Sequence, residues 1–125
     1  MRTIKFRGKR VNRNGEWAYG DLRQINGECF VFPQSEGAAC DRDKVIPDTV
    51  GQFTGLLDKN GKEIYEGDVV DFDNYLQGRS CVNFDSGCFR VESSNYITTL
   101  TYHVSLHTHI VGNNHDNPEL LTLNK

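Results

Sequence analysis

The chain has 125 residues, of which 37% are hydrophobic and 25% are charged, and its net charge at pH 7 is −3. This length suffices for one domain that folds without a metal ion or a disulfide bond. The composition excludes a disordered tail, and the absence of any apolar run near ~20 residues excludes a membrane-spanning helix.

The chain opens with an alternating, strand-like pattern over residues 2–7. This segment lacks the apolar core and cleavage site of a signal peptide, so we expect a cytoplasmic protein with no membrane contact. Asn14-Gly15 predicts a two-residue type I′ turn. In that register four aromatic and aliphatic side chains share one face, which we expect to be core: Ile4, Phe6, Trp17 and Tyr19. Three basic side chains then project from the opposite face: Lys5, Arg7 and Lys9.

Positive charge is concentrated at the amino-terminal end. Residues 1–25 contain seven basic and two acidic side chains, a net charge of +5, whereas the remaining hundred residues contain seven basic and fifteen acidic side chains, or −8. This asymmetry is compatible with a nucleic-acid footprint, with a head-to-tail contact between subunits, or with two solvated faces. The candidate phosphate-binding residues are Lys5, Arg7, Lys9, Arg10 and Arg13.

Tight turns continue to punctuate the chain. Asn26-Gly27 predicts a hairpin between residues 21–25 and 28–32, and residues 34–49 are expected to form an irregular connection. Strand character resumes over residues 50–56, and Asn60-Gly61 predicts a third type I′ turn before a strand over residues 64–72.

A further hairpin is predicted between Cys81 and Val91. If Ser86-Gly87 forms its turn, Cys81 lies opposite Glu92 and Cys88 lies opposite Asp85, so these two cysteines are too far apart for a disulfide. The scattered positions of all four cysteines favour reduced thiols. After a polar stretch, residues 100–111 alternate cleanly and predict a last long strand. Asn117-Pro118 then predicts a short terminal helix.

Histidines on that last strand form one candidate metal site. Residues two apart on a strand lie ~7 Å from each other, so His107 and His109 could reach one ion, with His103, Asp71, Asp73 or a residue elsewhere in the chain as a third ligand. The alternatives are an exposed polar strand face and a pH-responsive contact. A run of acidic residues is a second candidate site, for a pair of catalytic carboxylates. Its alternation favours the solvent-facing side of a strand together with turn caps. The run consists of Glu63, Glu66, Asp68, Asp71 and Asp73. No serine stands in a hydrolase motif, so we predict no enzymatic activity and no cofactor.

Residues 50–70, VGQFTGLLDKNGKEIYEGDVV, closely resemble the signature of the YopX family, whose members are encoded by phages and prophages. The opening strand over residues 2–7 and the endings at residues 110–113 and 117–121 agree with the same family in the same order. The signature residues are typical of a structural role: the glycines allow turns, and Asp58 and Asp68 are suited to accept hydrogen bonds from backbone amides in turns. The structural residues of the signature are Gly51, Gly55, Gly61, Tyr65, Gly67 and Asp68.

The resemblance implies a mainly β protein with little helix, in which an N-terminal β-hairpin lobe (residues 1–62) packs on a C-terminal SH3-like barrel (residues 63–125) as one compact unit. It implies no established activity. We therefore expect a phage or prophage accessory protein in the bacterial host cell, acting as a self-assembling or protein-binding module. Its partner is then a second copy, which makes it a homo-oligomer, or a phage or host protein. Nucleic-acid binding and histidine-liganded metal binding are the alternatives.

Overall fold

Short strands joined by tight turns make up most of the chain. The computed structural model describes residues 1–12, 15–33, 42–72, 79–94 and 96–122. Within these ranges the first six strands are β1 (Phe6–Lys9), β2 (Trp17–Ile25), β3 (Glu28–Pro33), β4 (Asp43–Val45), β5 (Gly51–Leu57) and β6 (Glu63–Tyr65). The later strands are β7 (Asp68–Phe72), β8 (Ser80–Asp85), β9 (Cys88–Ser93), β10 (Tyr96–Thr99) and β11 (Thr108–Asn113). The helical elements are a 3-10 turn (Pro47–Thr49), α1 (Tyr102–Ser105) and α2 (Glu119–Thr122).

The strands form two antiparallel sheets, in the orders β4-β3-β2-β1-β5-β6 and β10-β9-β8-β7-β11. The predicted mainly β architecture with little helix is confirmed. The predicted SH3-like barrel is not confirmed, because neither sheet closes on itself within the described residues. The chain divides into two units, Met1–Phe53 and Thr54–Lys125.

Small and β-branched side chains form the core of the first unit. Val31 and Val45 are fully buried, and Ala18 is buried beside them. Gly8 lies opposite Ala18 on the neighbouring strand, and a Cβ atom on Gly8 would come within 2.8 Å of the Val45 side chain. Only a residue without a side chain therefore lets β1 approach β4 this closely.

The register of the first hairpin differs from the prediction. Lys9 lies opposite Trp17, whereas a two-residue loop at Asn14-Gly15 places it opposite Gly20. Because this shift of three residues is odd, it exchanges the two faces of β1 relative to β2. Arg7 and Lys9 therefore share a face with Trp17 and Tyr19, and the predicted shared core face is wrong. Ile4, predicted to be core, is 48% exposed.

Two later turns show when turn chemistry predicts register. Ser86 and Gly87 both have positive φ, and Phe84 lies opposite Phe89 as predicted. Asn60-Gly61 behaves differently, since only Gly61 has positive φ. There the Gly61 amide donates to the Asp58 carbonyl and the Asp58 amide donates to the Lys62 carbonyl. The connection is thus a longer turn that ends in a left-handed glycine.

The predicted strand over residues 100–111 is wrong in its first half. Thr101 accepts a hydrogen bond at its Oγ1 from the Val104 amide (3.2 Å) and so begins helix α1. A threonine at this position favours a helix start over a continuing strand. The strand itself begins at Thr108. The short terminal helix predicted after Asn117-Pro118 is present as α2.

The second unit has a separate apolar core. Its buried residues come from four different elements and from the segment before α1: Ile64, Val70, Val82, Val91 and Leu100. Phe72 and Tyr96 pack against this core and contact each other edge to face, with ring centroids 6.0 Å apart. The inward face of β10 is thereby anchored by Tyr96, which leaves Ile97 on the outward face.

Candidate binding edge on strand β10

The ends of the two sheets determine where the chain can accept another strand. An edge strand presents unpaired backbone N–H and C=O groups to its surroundings, and proteins normally cover or interrupt such edges. The edge strands among the described residues are β4, β6, β10 and β11. Strand β6 has three residues, and two of them, Ile64 and Tyr65, are buried.

The outer edge of β4 is covered by the chain that follows β1. Arg10 forms an isolated antiparallel bridge with Val45. On either side of this bridge, the Val11 amide donates to the Lys44 carbonyl and the Ile46 amide donates to the Lys9 carbonyl, each at 2.9 Å. The bridge and its two hydrogen bonds therefore occupy the outer side of β4 around Lys44 and Val45.

The outer edge of β11 is covered by the turn after β5. The Ile110 amide donates to Asp58 Oδ2 (3.0 Å), and the Thr108 carbonyl accepts from the Lys59 amide (2.9 Å). Strand β11 also contains a bulge between Ile110 and Gly112. Both features prevent another strand from pairing along this edge.

The outer edge of β10 is the exception. Leu100 donates its amide to the Phe89 carbonyl directly opposite it, and β10 continues in the same register with Thr98 opposite Val91. Because hydrogen-bonded and non-hydrogen-bonded pairs alternate in antiparallel strands, the backbone groups of Ile97 and Thr99 point away from β9. Within the described part of the chain, neither residue has a hydrogen-bond partner on that side.

The side chains of β10 leave its outer edge accessible. Tyr96, Ile97, Thr98 and Thr99 carry no charge, and Ile97 is 50% exposed. The charged residues opposite them on β9 are directed toward β8, since Glu92 accepts from Asn83 Nδ2 (2.9 Å) and Arg90 donates to Asp85 (2.6 Å). None of the usual protections of an edge (lysine, proline or a bulge) occurs along these four residues.

The predicted phosphate-binding residues are mostly engaged within the first unit. Arg7 is buried, and its guanidinium lies 4.7 Å from the Trp17 ring. Arg10 pairs with Glu16 (2.8 Å) and with Asp43 (3.1 Å), so two carboxylates already balance its charge. Lys5 and Lys9 are half-buried. Arg13 lies outside the described residues.

The predicted histidine face does not exist. His103 is in helix α1, His107 follows that helix, and His109 is in β11, so the three residues do not alternate along one strand. Across the described ranges, no three histidine, cysteine or acidic side chains are grouped so that they could hold a metal ion. Of the other two suggested ligands, Asp71 lies opposite His109 on strand β7, and Asp73 lies outside those ranges.

A cavity of about 380 Å³ lies beside β8 and β9 and is lined by Cys81, Glu92 and Ser93, among others. Burial, followed by the nearby carboxylates of Asp68, Glu92 and Glu66, raises the pKa of the Cys81 thiol from 9.0 to about 11. The thiol therefore stays protonated at neutral pH, where it is a poor nucleophile.

Two carboxylates of the signature, those of Asp58 and Asp68, have structural roles. Asp58 Oδ1 accepts from the Asn60 and Lys62 amides (2.9 Å each), and Asp68 Oδ2 accepts from the Tyr65 amide (2.7 Å). Both carboxylates are buried. These bonds hold the turns on either side of β6, and so they shape the second unit without forming a reactive pair.

Sequence reasoning missed β10 as a site. The uncharged run Tyr96–Thr99 is rich in β-branched residues, which is a signal for a strand. It does not distinguish a central strand from an open edge. That distinction depends on the order of the strands in the folded sheet, where β10 pairs with β9 alone among the described strands.

Comparisons with known proteins agree with this description. The family model for the YopX protein matches residues 5–122. The crystal structure of protein EF1440 from Enterococcus faecalis is similar, with a TM-score of 0.68 and 24% sequence identity over 97% of this chain and 99% of that one. No curated protein matches the sequence. No helix in the described ranges has the length and apolar character needed to cross a membrane. Because the family match covers nearly the whole chain, the chain belongs to the YopX family.

Proposed function

We propose that this chain is a non-enzymatic binding module that takes up an extended protein strand at the outer edge of β10. The observation that carries the proposal is the outward direction of the backbone groups of Ile97 and Thr99. A strand added at this edge would satisfy those groups with main-chain hydrogen bonds, as in β-augmentation. It would also cover the half-exposed Ile97 side chain.

The chemistry of β10 restricts its partner to an extended segment with few charges. A charged side chain opposite Ile97 would lose hydration without gaining an ion pair from β10, because the strand carries no charge. The partner class expected from the sequence, a second copy or a phage or host protein, is compatible with such a segment.

A strand peptide tests the proposal directly. The probe is a fluorescein-labelled peptide of residues 94–101, titrated by the protein at a concentration where sedimentation gives the mass of one chain, 14.2 kDa. We expect saturable binding that Ile97→Lys abolishes. The matched control is Ile4→Lys, because Ile4 is 48% exposed, close to the 50% of Ile97, and lies in the first unit.

Amide hydrogen exchange identifies the bound edge in the same experiment. The Ile97 and Thr99 amides should gain protection when the unlabelled peptide is added, whereas the Thr98 amide, which points toward β9, should change little. Binding without protection at Ile97 and Thr99 would overturn the assignment to β10. A peptide that does not bind at all would overturn the proposed function itself.

A specific observation favours nucleic-acid binding as a second candidate. The corrected register places Lys5 and Lys9 on the same face as two aromatic rings, with Lys5 Nζ 5.5 Å from the Phe53 ring and Lys9 Nζ 6.0 Å from the Trp17 ring. Tyr19 on this face is 45% exposed. Cations beside accessible aromatic rings are typical of surfaces that bind single strands.

This candidate is tested by the anisotropy of labelled single-stranded oligonucleotides across a salt series. We expect affinity to fall steeply with salt and to weaken in Lys9→Ala and in Tyr19→Ala, with Ile97→Ser, which leaves the net charge unchanged, as the unaffected control. Absence of binding at low salt would overturn it.

A further inference from the structure

We infer that the strand taken up at β10 is β10 of a second copy, so that the chain forms a two-fold symmetric dimer. In this pairing the strands run antiparallel, Ile97 lies opposite the partner's Thr99, and Thr98 lies on the two-fold axis. The inference rests on the proposed function, since it names the partner of the same edge. It adds a register, which a single cross-linking experiment can test.

The direction of the backbone groups selects this register. In an antiparallel pair, only residues whose N–H and C=O groups face the partner can exchange hydrogen bonds. On β10 those residues are Ile97 and Thr99. Pairing Ile97 with the partner's Thr99, and the reverse, uses every outward group of both residues and forms four hydrogen bonds. A register centred on Ile97 would pair Ile97 with the partner's Ile97 through two bonds, and it would move Thr99 opposite residue 95, which lies outside the described residues.

The side chains fit the same arrangement. Thr98 would face the partner's Thr98 as a non-hydrogen-bonded pair, in which the Cα atoms lie ~4.5 Å apart and threonine side chains pack favourably. Ile97 would lie beside the Thr99 methyl group of the other copy and would lose much of its exposure. Since both strands are identical and uncharged, no charge is buried on either side.

The charges on the neighbouring strand are complementary under this symmetry. Glu92 lies opposite Ile97, and Arg90 lies opposite Thr99. Pairing Ile97 with the partner's Thr99 therefore places one Glu92 and one Arg90 in each cross-strand row, whereas a register centred on Ile97 aligns two Glu92 side chains. The charges in a row are separated by three strand spacings, about 14 Å. At this distance salt screens most of the attraction, so the hydrogen bonds decide the register and the charges only agree with it.

The size of the edge predicts a weak dimer. Four residues of β10 present a contact well below the ~1,200 Å² that stable complexes usually bury. We therefore expect a monomer–dimer equilibrium, with the sedimentation mass rising from that of one chain toward twice that value as the concentration increases.

Cysteine cross-linking tests the register. Thr98→Cys would place two thiols across the two-fold axis at a Cα separation of ~4.5 Å, which permits a disulfide, whereas two Ile97→Cys residues would be ~8 Å apart, beyond the range of a disulfide. The variants are made with serine at positions 40, 81 and 88. The buried Cys29 is retained. We expect mild oxidation to give a covalent dimer with Thr98→Cys and none with Ile97→Cys.

Side-chain exposure alone would favour cross-linking at position 97, because Ile97 is more exposed than Thr98. Random collisions would cross-link Ile97→Cys faster, which is the reverse of the prediction, and that result would overturn the inference. A chain that stays monomeric at all concentrations would also overturn it. In that case binding of the strand peptide with protection at Ile97 and Thr99 would leave the proposed function standing, whereas loss of both would end both proposals.

Discussion

The Ile110 amide donates a hydrogen bond to Asp58 Oδ2 (3.0 Å), although the two residues are 52 positions apart in the sequence. The other oxygen of the same carboxylate holds the Asn60 and Lys62 amides. One buried carboxylate thus fixes a tight turn and also covers the outer edge of β11. This arrangement closes β11 to another strand, whereas no described residue pairs with the outer edge of β10.

Replacing Asp58 with alanine should destabilise the second unit substantially. Three backbone amides would lose their acceptor, and a buried donor without a partner costs roughly 1–3 kcal/mol. Because water can reach part of this turn, we expect a loss of about 3 kcal/mol in the free energy of unfolding, measured by urea denaturation. Asp58→Asn keeps one acceptor oxygen and should lose about half as much. A loss under ~0.5 kcal/mol for the alanine variant would contradict the role assigned to this carboxylate.

Gly8 is the second position where one substitution tests the packing. A methyl group there would lie 2.8 Å from Val45 Cβ and Cγ2, so Gly8→Ala should reduce the free energy of unfolding by about 1–3 kcal/mol. Val45→Ala removes the Cγ contacts and keeps the Cβ contact, so the double variant Gly8→Ala/Val45→Ala should lose less free energy of unfolding than the sum of the two single variants. If the two substitutions were simply additive in a double-mutant cycle, the steric explanation would be wrong.

One hairpin has the predicted register and another does not, and the difference shows how far local sequence determines register. Ser86-Gly87 forms a turn with positive φ at both residues, and the register of Phe84 and Phe89 follows from it. At Asn14-Gly15 the same kind of signal gave the wrong register, because the chain leaves the β1–β2 ladder at Arg10 and returns at Glu16. The packing of Gly8 and Ala18 against Val45 fixes that register, and small residues give little hydrophobic signal.

The candidate site depends on contacts that the sequence does not reveal. The strand character of Tyr96–Thr99 is visible in its β-branched residues. Its position at the end of a sheet follows from the strand order β10-β9-β8-β7-β11, and the edges of β11 and β4 are covered by the long-range contacts of Asp58 with Ile110 and of Val11 with Lys44. Such pairings are decided by the whole fold, so no local pattern could have selected β10.

Arg7 tests whether a buried cation beside a tryptophan ring stabilises the fold. Its guanidinium lies 4.7 Å from the ring of Trp17, the single tryptophan, and the side chain is only 6% exposed. We expect Arg7→Ala to lower the free energy of unfolding by about 2 kcal/mol through lost packing and cation–π attraction. Trp17 fluorescence should shift in the folded state, while the exposed Arg2→Ala control should change neither quantity. Unchanged stability would contradict the structural role assigned to Arg7.

The Cys81 thiol makes the stability depend on alkaline pH. Burial and three carboxylates raise its pKa from 9.0 to about 11, so the folded chain holds the proton more tightly than the unfolded chain. The stabilisation linked to this proton is complete below about pH 9 and is lost as the pH rises through about 11. Cys81→Ser, which does not titrate, should therefore lose less stability over this interval than the wild type.

Alkylation by iodoacetamide, followed site by site with mass spectrometry, measures the same thiol directly. Only the thiolate reacts, so the rate at Cys81 should keep rising with pH up to about 11. Glu92→Gln removes one of the carboxylates that raise this pKa and should move the midpoint to lower pH, whereas Glu28→Gln, in the first unit, should not. A wild-type midpoint near 9 would mean that water and cations reach the cavity beside β8 freely, and the thiol could then react under mildly alkaline conditions.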